Sequence, residues 1–463
     1  MDQVVEPELL ADAAQRAQRY LRGVTARRVS PDIEAVERLA ELGGPLPDRA
    51  TADEEVLRLL DEVGSPATMA SAGGRYFGLV IGGALPVTVA ANWLATAWDQ
   101  NAAMRLTSPV AAQLEDIALE WLKQLFELPG STGGAFVTGA SMASFTALAA
   151  ARQAILARVG WDADARGLFG APPIRVVVGD EVHVTVLKAL TLLGFGRDTL
   201  IRVPVDGQGR MQADALPALD DRTIVCIQAG NVNTGAFDPA EMICRQASAA
   251  GAWVHVDGAF GMWAACAPRR AHLTAGVPLA DSWATDAHKW LNTPYDCGIA
   301  LVREPEHLRR AMTASAAYLQ ASDQREASQL NPELSRRARA VEVWAAIRSL
   351  GRDGIADLVE RTCSHASKLA ERLSAAGFAV LNDVVINQVL VAGESDEATD
   401  RMIAEIQRDG TCWCGGTTWQ GRRAMRVSVS SWATTDEDME MSFDAMMRLG
   451  RAAGAVGRSP SLA

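Results

Sequence analysis

The chain has 463 residues, 49% of them hydrophobic, with 56 acidic against 44 basic residues and a formal net charge of −12. That length exceeds one typical core and predicts a large domain with smaller segments around it. The acidic balance argues against nucleic acid or an anionic membrane as a partner, and the cluster Arg336, Arg337 and Arg339 is only a short patch.

Seven cysteines, an odd number without the dense spacing of a secreted disulfide scaffold, predict a reducing cytoplasm. The start, Met1-Asp2-Gln3-Val4-Val5-Glu6, is acidic and has no signal-peptide character. Residues 1–70 read as a helical arm: Leu9 to Leu21 and Ile33 to Leu42 carry apolar residues at helical spacing, and Thr51-Ala52-Asp53-Glu54 has the spacing of a capping box. Leu79 to Ala97 is apolar for about the length of a membrane span. Gly82, Gly83 and Pro86 interrupt it and its flanks are not strongly basic, so a buried loop and helix is expected instead.

Pro109 to Leu128 predicts a long helix ended by Pro129-Gly130. Beyond it, short apolar runs alternate with helical segments: Ala135 to Val137, Ile174 to Val178, Leu200 to Val203, Thr223 to Ile227, Trp253 to Val256 and Gly298 to Val302. The alternation predicts an α/β domain over residues 71–305 built on a mostly parallel sheet. From 306 the pattern changes. A segment over 306–339 leads into a smaller α+β domain over 340–463, with a helix over Ala340 to Leu350 stopping at Gly351, another over Ile355 to Ala375, and strands at Phe378 to Leu381, Gln388 to Val391 and Met425 to Val429. Cys412 and Cys414 lack a second ligand pair, and no metal site is expected.

The chemistry concentrates around Lys289, in Thr285-Asp286-Ala287-His288-Lys289-Trp290, with Asp257 32 residues before it at the end of the apolar run Trp253 to Val256. A lysine that forms a Schiff base and a carboxylate that keeps a pyridine nitrogen protonated are what pyridoxal phosphate requires. In open α/β sheets ligands collect at the carboxyl ends of strands, where Asp257 falls. Singly, each residue has a plainer reading: a snorkelling lysine and a strand-end turn residue.

Further candidates line up along the chain. Gly133 to Ala143 is a strand, a small-residue turn and a helix start, where Ala140 and Ser141, with Thr138, would hold a phosphate; the same turn reads as packing alone. His183, one of six histidines, follows a strand and would stack on a flat cofactor, or simply cap a helix. Asn231, in Gly230 to Pro239, would bond the cofactor or substrate, or stabilise its own turn. Ala259 is small enough to let a ring lie flat against the chain.

The order Thr138-Gly139-Ala140-Ser141, His183, Asn231 to Asp238, Asp257-Gly258-Ala259 and His288-Lys289-Trp290 resembles the group II pyridoxal-phosphate-dependent amino-acid decarboxylases, of the aspartate aminotransferase fold (fold type I). The likeness continues through Tyr295-Asp296-Cys297 and Leu334 to Arg339, and so spans most of the chain. It implies an active-site loop within 306–339 and an internal aldimine on Lys289. Asp257 would pair the pyridinium, His183 would stack on the ring, and Ser141 and His288 would lie near the phosphate. Arg426 is implied as a ligand of the substrate carboxylate, and reads equally as a surface strand residue. Tyr76 and Phe77 fall where family members line the substrate pocket, and could equally be core residues. A homodimer is implied as well.

The activity so implied is decarboxylation of an L-amino acid to the amine through a quinonoid, with His183, Lys289 or water returning the proton. One departure stands out. The family's loop commonly carries a tyrosine for that proton, and Leu319 to Pro332 has none; Tyr318 matches the Tyr-Leu pair before the loop. An aldehyde-forming oxidative reaction, a carbon–carbon lyase reaction, or cofactor binding without turnover are the alternatives.

Overall fold

The computed structural model describes residues 7–313 and 324–456. Tyr318 and the first part of the tyrosine-free stretch lie outside them. The chain forms two compact units: Gly82–Lys368 with Leu381–Val389, and residues up to Ile81 with Leu369–Val380 and the chain from Leu390 onward.

The first of these units is built on seven strands: β1 (Gly133–Val137), β2 (Arg175–Gly179), β3 (Ile201–Val203), β4 (Thr223–Gln228), β5 (Trp253–Asp257), β6 (Ser282–Asp286) and β7 (Gly298–Val302). Their order is β1-β7-β6-β5-β4-β2-β3; β7 runs antiparallel to both neighbours and the other pairs are parallel. Every residue of β4, β5, β6 and β7 is buried, as a sheet covered on both faces requires. The Ala140–Arg158 helix supplies much of that cover, with Ala147, Leu148, Ala151 and Ile155 packed in one cluster with Val176, Val178, Ile224 and Trp253.

The strands expected for this sheet are present, and within it β6 is the one the apolar pattern did not announce. Ser282, Thr285 and Asp286 break its run of hydrophobic residues, yet Ser282 Oγ accepts from Trp253 Nε1 at 2.9 Å and bonds His255 Nδ1 at 3.0 Å. Burial pushes His255 down to about 3, so it sits neutral between Ser282 and Ser144. The expected stop at Gly351 appears as a break inside the Ala340–Ala375 helical run, where Gly351 adopts φ 63° and ψ −176°.

Two local expectations fail. The Asp53–Leu59 helix starts one residue late for a capping box, with Ala52 at the cap and no side-chain bond there; Asp53, Glu54 and Glu55 in its first turn complement the helix dipole instead. The apolar stretch after Leu79 does form a helix, Pro86–Trp98, but only Thr88 is buried in it. Trp93, Leu94 and Trp98 are 43%, 56% and 42% exposed, which leaves an apolar face uncovered by the single chain. No described helix is long and apolar enough to cross a membrane.

The other unit carries a four-stranded sheet in the order β10-β11-β9-β8, made of β8 (Ala379–Val380), β9 (Gln388–Ala392), β10 (Gly415–Trp419) and β11 (Arg422–Ser428). Gln420 and Gly421, at φ 46° and 83°, make the tight turn between β10 and β11. The Asp396–Asp409 and Asp436–Ala452 helices, both unforeseen from the sequence, belong to this unit.

Candidate active site

The carboxyl ends of β5 and β6 stand side by side, with Asp257 paired in register to Ala284. Each strand ends on a buried acid: Asp257 is 5% exposed and Asp286 2%. Asp257 Oδ1 accepts from the Ala259 amide at 3.2 Å, and the Asp286 amide donates to the Ala259 carbonyl at 2.9 Å. These bonds lock the turn Gly258-Ala259 across the two strand ends. The end of β4 joins them through the Ala229 amide, which donates to the Asp257 carbonyl at 2.8 Å.

The turn that follows β6 aims the lysine. Asn292, at φ 57°, donates from Nδ2 to the carbonyls of Lys289 and Trp290, each at 3.0 Å. Trp290 is anchored by its Nε1 on Thr362 Oγ1 at 2.9 Å. A Cβ on Gly82 would fall 2.0 Å from the Lys289 carbonyl oxygen, so only glycine lets that segment lie against the turn. With the backbone held in this way, the Lys289 side chain is 18% exposed beside nearly closed neighbours, and its Nζ lies 3.2 Å from Asp286 Oδ2.

His288 is fixed from the other side. Its Nδ1 accepts the Cys297 amide at 3.1 Å, which assigns the ring proton to Nε2, 3.6 Å from Asp286 Oδ2. Burial lowers the His288 pKa and the Asp286 carboxylate opposes that shift. The Tyr295 ring covers it at a centroid distance of 4.3 Å.

The Ala140–Arg158 helix begins at this same place. Gly139, its N-cap, offers no capping side chain, and a Cβ there would sit 3.5 Å from His288 Cε1 and 3.6 Å from Asp286 Oδ1. The first amides of the helix have no intrahelical acceptor and form an anion cradle. Gly298 keeps β7 close beneath it, since a Cβ there would come within 2.4 Å of the Gly139 backbone.

Asn231 is 1% exposed and ties its own turn: Oδ1 accepts from the Asn233 amide at 2.8 Å and the Thr234 amide at 3.2 Å, while Nδ2 is buried without a hydrogen-bond partner. His183 caps the Val184–Leu192 helix, its Nδ1 2.7 Å from Thr185 Oγ1. Ala140 is buried and Ser141 half-buried. Lys289, His288, Asp257, Ala259, Ala140, Ser141, Asn231 and His183 all follow strands of one sheet. Tyr76, Phe77 and Arg426 belong to the other unit. There Tyr76 stacks on Trp413 at 5.0 Å between centroids, Phe77 is 1% exposed, and Arg426 lies half-buried in β11.

Sequence reasoning gave no role to Asp286, although it stands three residues before Lys289; a carboxylate at that spacing was the signal available. Among the described residues no cluster of three metal-ligating side chains occurs, and all seven cysteines are free and buried. The donor set fits pyridoxal phosphate: an amine with room around it, an uncapped helix start for a phosphate, a buried strand-end carboxylate, and buried polar atoms at Asn231 Nδ2 and Asp286 Oδ1 that lack partners.

Known proteins agree with that chemistry. The pyridoxal-dependent decarboxylase conserved domain matches residues 75–391. An aromatic-L-amino-acid decarboxylase of Bacillus atrophaeus is 28% identical over 380 residues, covering 76% of each chain. An L-2,4-diaminobutyrate decarboxylase of Rhizobium meliloti is 30% identical over 434 residues, covering 89% of this chain and 81% of the relative. The crystal structure of Oryza sativa TDC with PLP and tryptamine superposes with a TM-score of 0.89 at 22% identity, over 98% of this chain and 99% of that one, and shares the fold. The chain belongs to the pyridoxal-dependent decarboxylase family and is a pyridoxal-phosphate-dependent carboxy-lyase of fold type I.

Proposed function

We propose that this enzyme removes the carboxylate of an L-amino acid as carbon dioxide and releases the amine, with Lys289 as the residue that bonds the cofactor. The observation that carries this reading is Lys289 Nζ itself, reachable among buried groups and 3.2 Å from a carboxylate at the carboxyl edge of the sheet. Pyridoxal phosphate, when bound, supplies the sink for the electron pair left behind as carbon dioxide departs.

The chain's own residues do the rest. Asp257, 5% exposed at the end of β5, would hold the proton on the ring nitrogen. The amides of Ala140 and Ser141, with the Ser141 hydroxyl and His288, hold the phosphate at the helix start. Asn231, whose buried Nδ2 has no partner in the chain, would hold the cofactor's phenolic oxygen. Ala259 would leave room for the ring, His183, steadied by Thr185, would cover it, and His183, Lys289 or water would supply the proton to the substrate carbon.

For the substrate, Arg426 binds the carboxylate, and Tyr76 and Phe77 select an apolar or aromatic side chain. This part rests on the family resemblance. The enzyme works as a homodimer in the cytoplasm: the uncovered face of Trp93, Leu94 and Trp98 supports the first and seven unpaired cysteines support the second. The tyrosine-free stretch Leu319 to Pro332 favours a second reading, in which oxygen intercepts the reaction and an aldehyde, ammonia and peroxide are released. Incubating the holoenzyme with each common L-amino acid, with carbon dioxide, oxygen uptake and product mass followed together, separates the readings. Amine without oxygen uptake supports decarboxylation; aldehyde with oxygen uptake replaces it, and no carbon dioxide from any amino acid sinks both.

A further inference from the structure

The two oxygens of the Asp286 carboxylate are in different circumstances. Oδ2 lies 3.2 Å from Lys289 Nζ and 3.6 Å from His288 Nε2. Oδ1 has no hydrogen-bond partner, although the residue is only 2% exposed, and it faces the helix start at Gly139. A buried carboxylate left half-satisfied is unfavourable unless a positive charge stands against it. The full positive charge within reach is the Lys289 ammonium; the helix start adds a partial one.

We propose that Asp286 is a positioning residue that holds the Lys289 side chain in an ion pair whenever the lysine is not bonded to the cofactor, and so sets how fast the lysine captures it. The proposal rests on Lys289 being the cofactor lysine. Capture needs an uncharged amine: the nitrogen lone pair bonds the aldehyde carbon, the ammonium proton passes to water, and the aldehyde oxygen leaves as water. The ion pair at 3.2 Å must open before the nitrogen can reach the aldehyde carbon, which slows that attack. It also keeps the released side chain beside the site, since Asn292 and Trp290 already fix the backbone. The other titratable groups around the carboxylate are His288, with Asp296 acting on it, and Cys297, on which Asp286 itself acts; Asp257 ends the adjacent strand.

The test uses the full-length chain freed of cofactor, mixed with pyridoxal phosphate or with pyridoxal, which lacks the phosphate. Absorbance follows capture, and borohydride trapping with peptide mass confirms the bond to Lys289. D286N is expected to capture both aldehydes about tenfold faster at neutral pH. Should D286N fail to fold, D286S carries the same comparison. Equal or slower capture overturns the proposal, as does a gain confined to pyridoxal phosphate, which would mark simple repulsion of the phosphate. A wild-type chain that forms no bond at Lys289 removes the reading of the site and the proposal with it, whereas normal capture with no effect of D286N removes the proposal alone.

Discussion

Gly298 offers a sharp test of how the proposed phosphate cradle is built. A Cβ placed on it lies 2.4 Å from the Cα and carbonyl carbon of Gly139 and 2.7 Å from its nitrogen. Non-bonded carbons rest at about 3.5–4.0 Å, so G298A forces the two backbones apart by roughly 1 Å. Neither side has a rotamer to turn aside, and the helix behind Gly139 buries twelve of its nineteen residues. Overpacking of this kind costs about 1–3 kcal/mol. The movement falls on the helix start, so G298A is expected to lose that much stability in denaturant unfolding of the cofactor-free chain. It should also bind pyridoxal phosphate about tenfold more weakly, a further ~1.4 kcal/mol. G139A provides the contrast: its Cβ meets His288 Cε1 at 3.5 Å and Asp286 Oδ1 at 3.6 Å, ordinary contacts on an extended backbone, so the fold keeps its stability. A G298A chain with wild-type stability and cofactor affinity refutes the reasoning.

Three other outcomes follow from the geometry. Glu115, fully buried, accepts from Arg336 Nη1 and from Arg325 at 3.1 and 3.2 Å; E115Q leaves Arg336 buried without its counter-charge and is expected to cost about 3–5 kcal/mol in denaturant unfolding, with a loss below about 1 kcal/mol contradicting it. His255 is held neutral in the fold at about 3, so below the ordinary histidine value near 6.5 the unfolded chain binds a proton that the folded chain refuses. Its contribution is therefore complete above about pH 6.5 and is lost as pH falls toward 3, at up to ~1.4 kcal/mol per pH unit. Wild type minus H255Q stability, compared at pH 7 and pH 5, should show that decline, and a constant difference would count against it. D257N should keep the cofactor bound to Lys289 yet lower turnover about 100-fold or more, read as carbon dioxide release per bound cofactor; unaltered turnover removes Asp257 from the ring nitrogen.

The strands were legible where burial made them continuously apolar, as in Trp253 to Val256 and Gly298 to Val302. β6 escaped because its first polar residue is satisfied only in three dimensions: Ser282 finds Trp253 and His255, partners 29 and 27 residues away. The Pro86–Trp98 helix was legible as a helix, but its apolar face does not turn inward in the single chain. Pattern alone cannot say whether such a face meets its own core or another surface. In the candidate site, Lys289 and Asp257 stood out because their chemistry is specific as a pair. Asp286 was not, since a carboxylate in a polar run looks solvated until the strand that carries it is found to be central and closed on both faces. The capping box failed by one residue of helix start, a shift that the acidic run Asp53 to Glu55 allows at little cost.

The most direct test is to reduce the holoenzyme with borohydride and locate the cofactor mass. The chain has only four lysines, Lys123, Lys188, Lys289 and Lys368, so the answer is discrete. The cofactor mass should appear on the peptide containing Lys289 and disappear in K289R. Its appearance on Lys123, Lys188 or Lys368, or its persistence in K289R, would contradict the assignment of the active site.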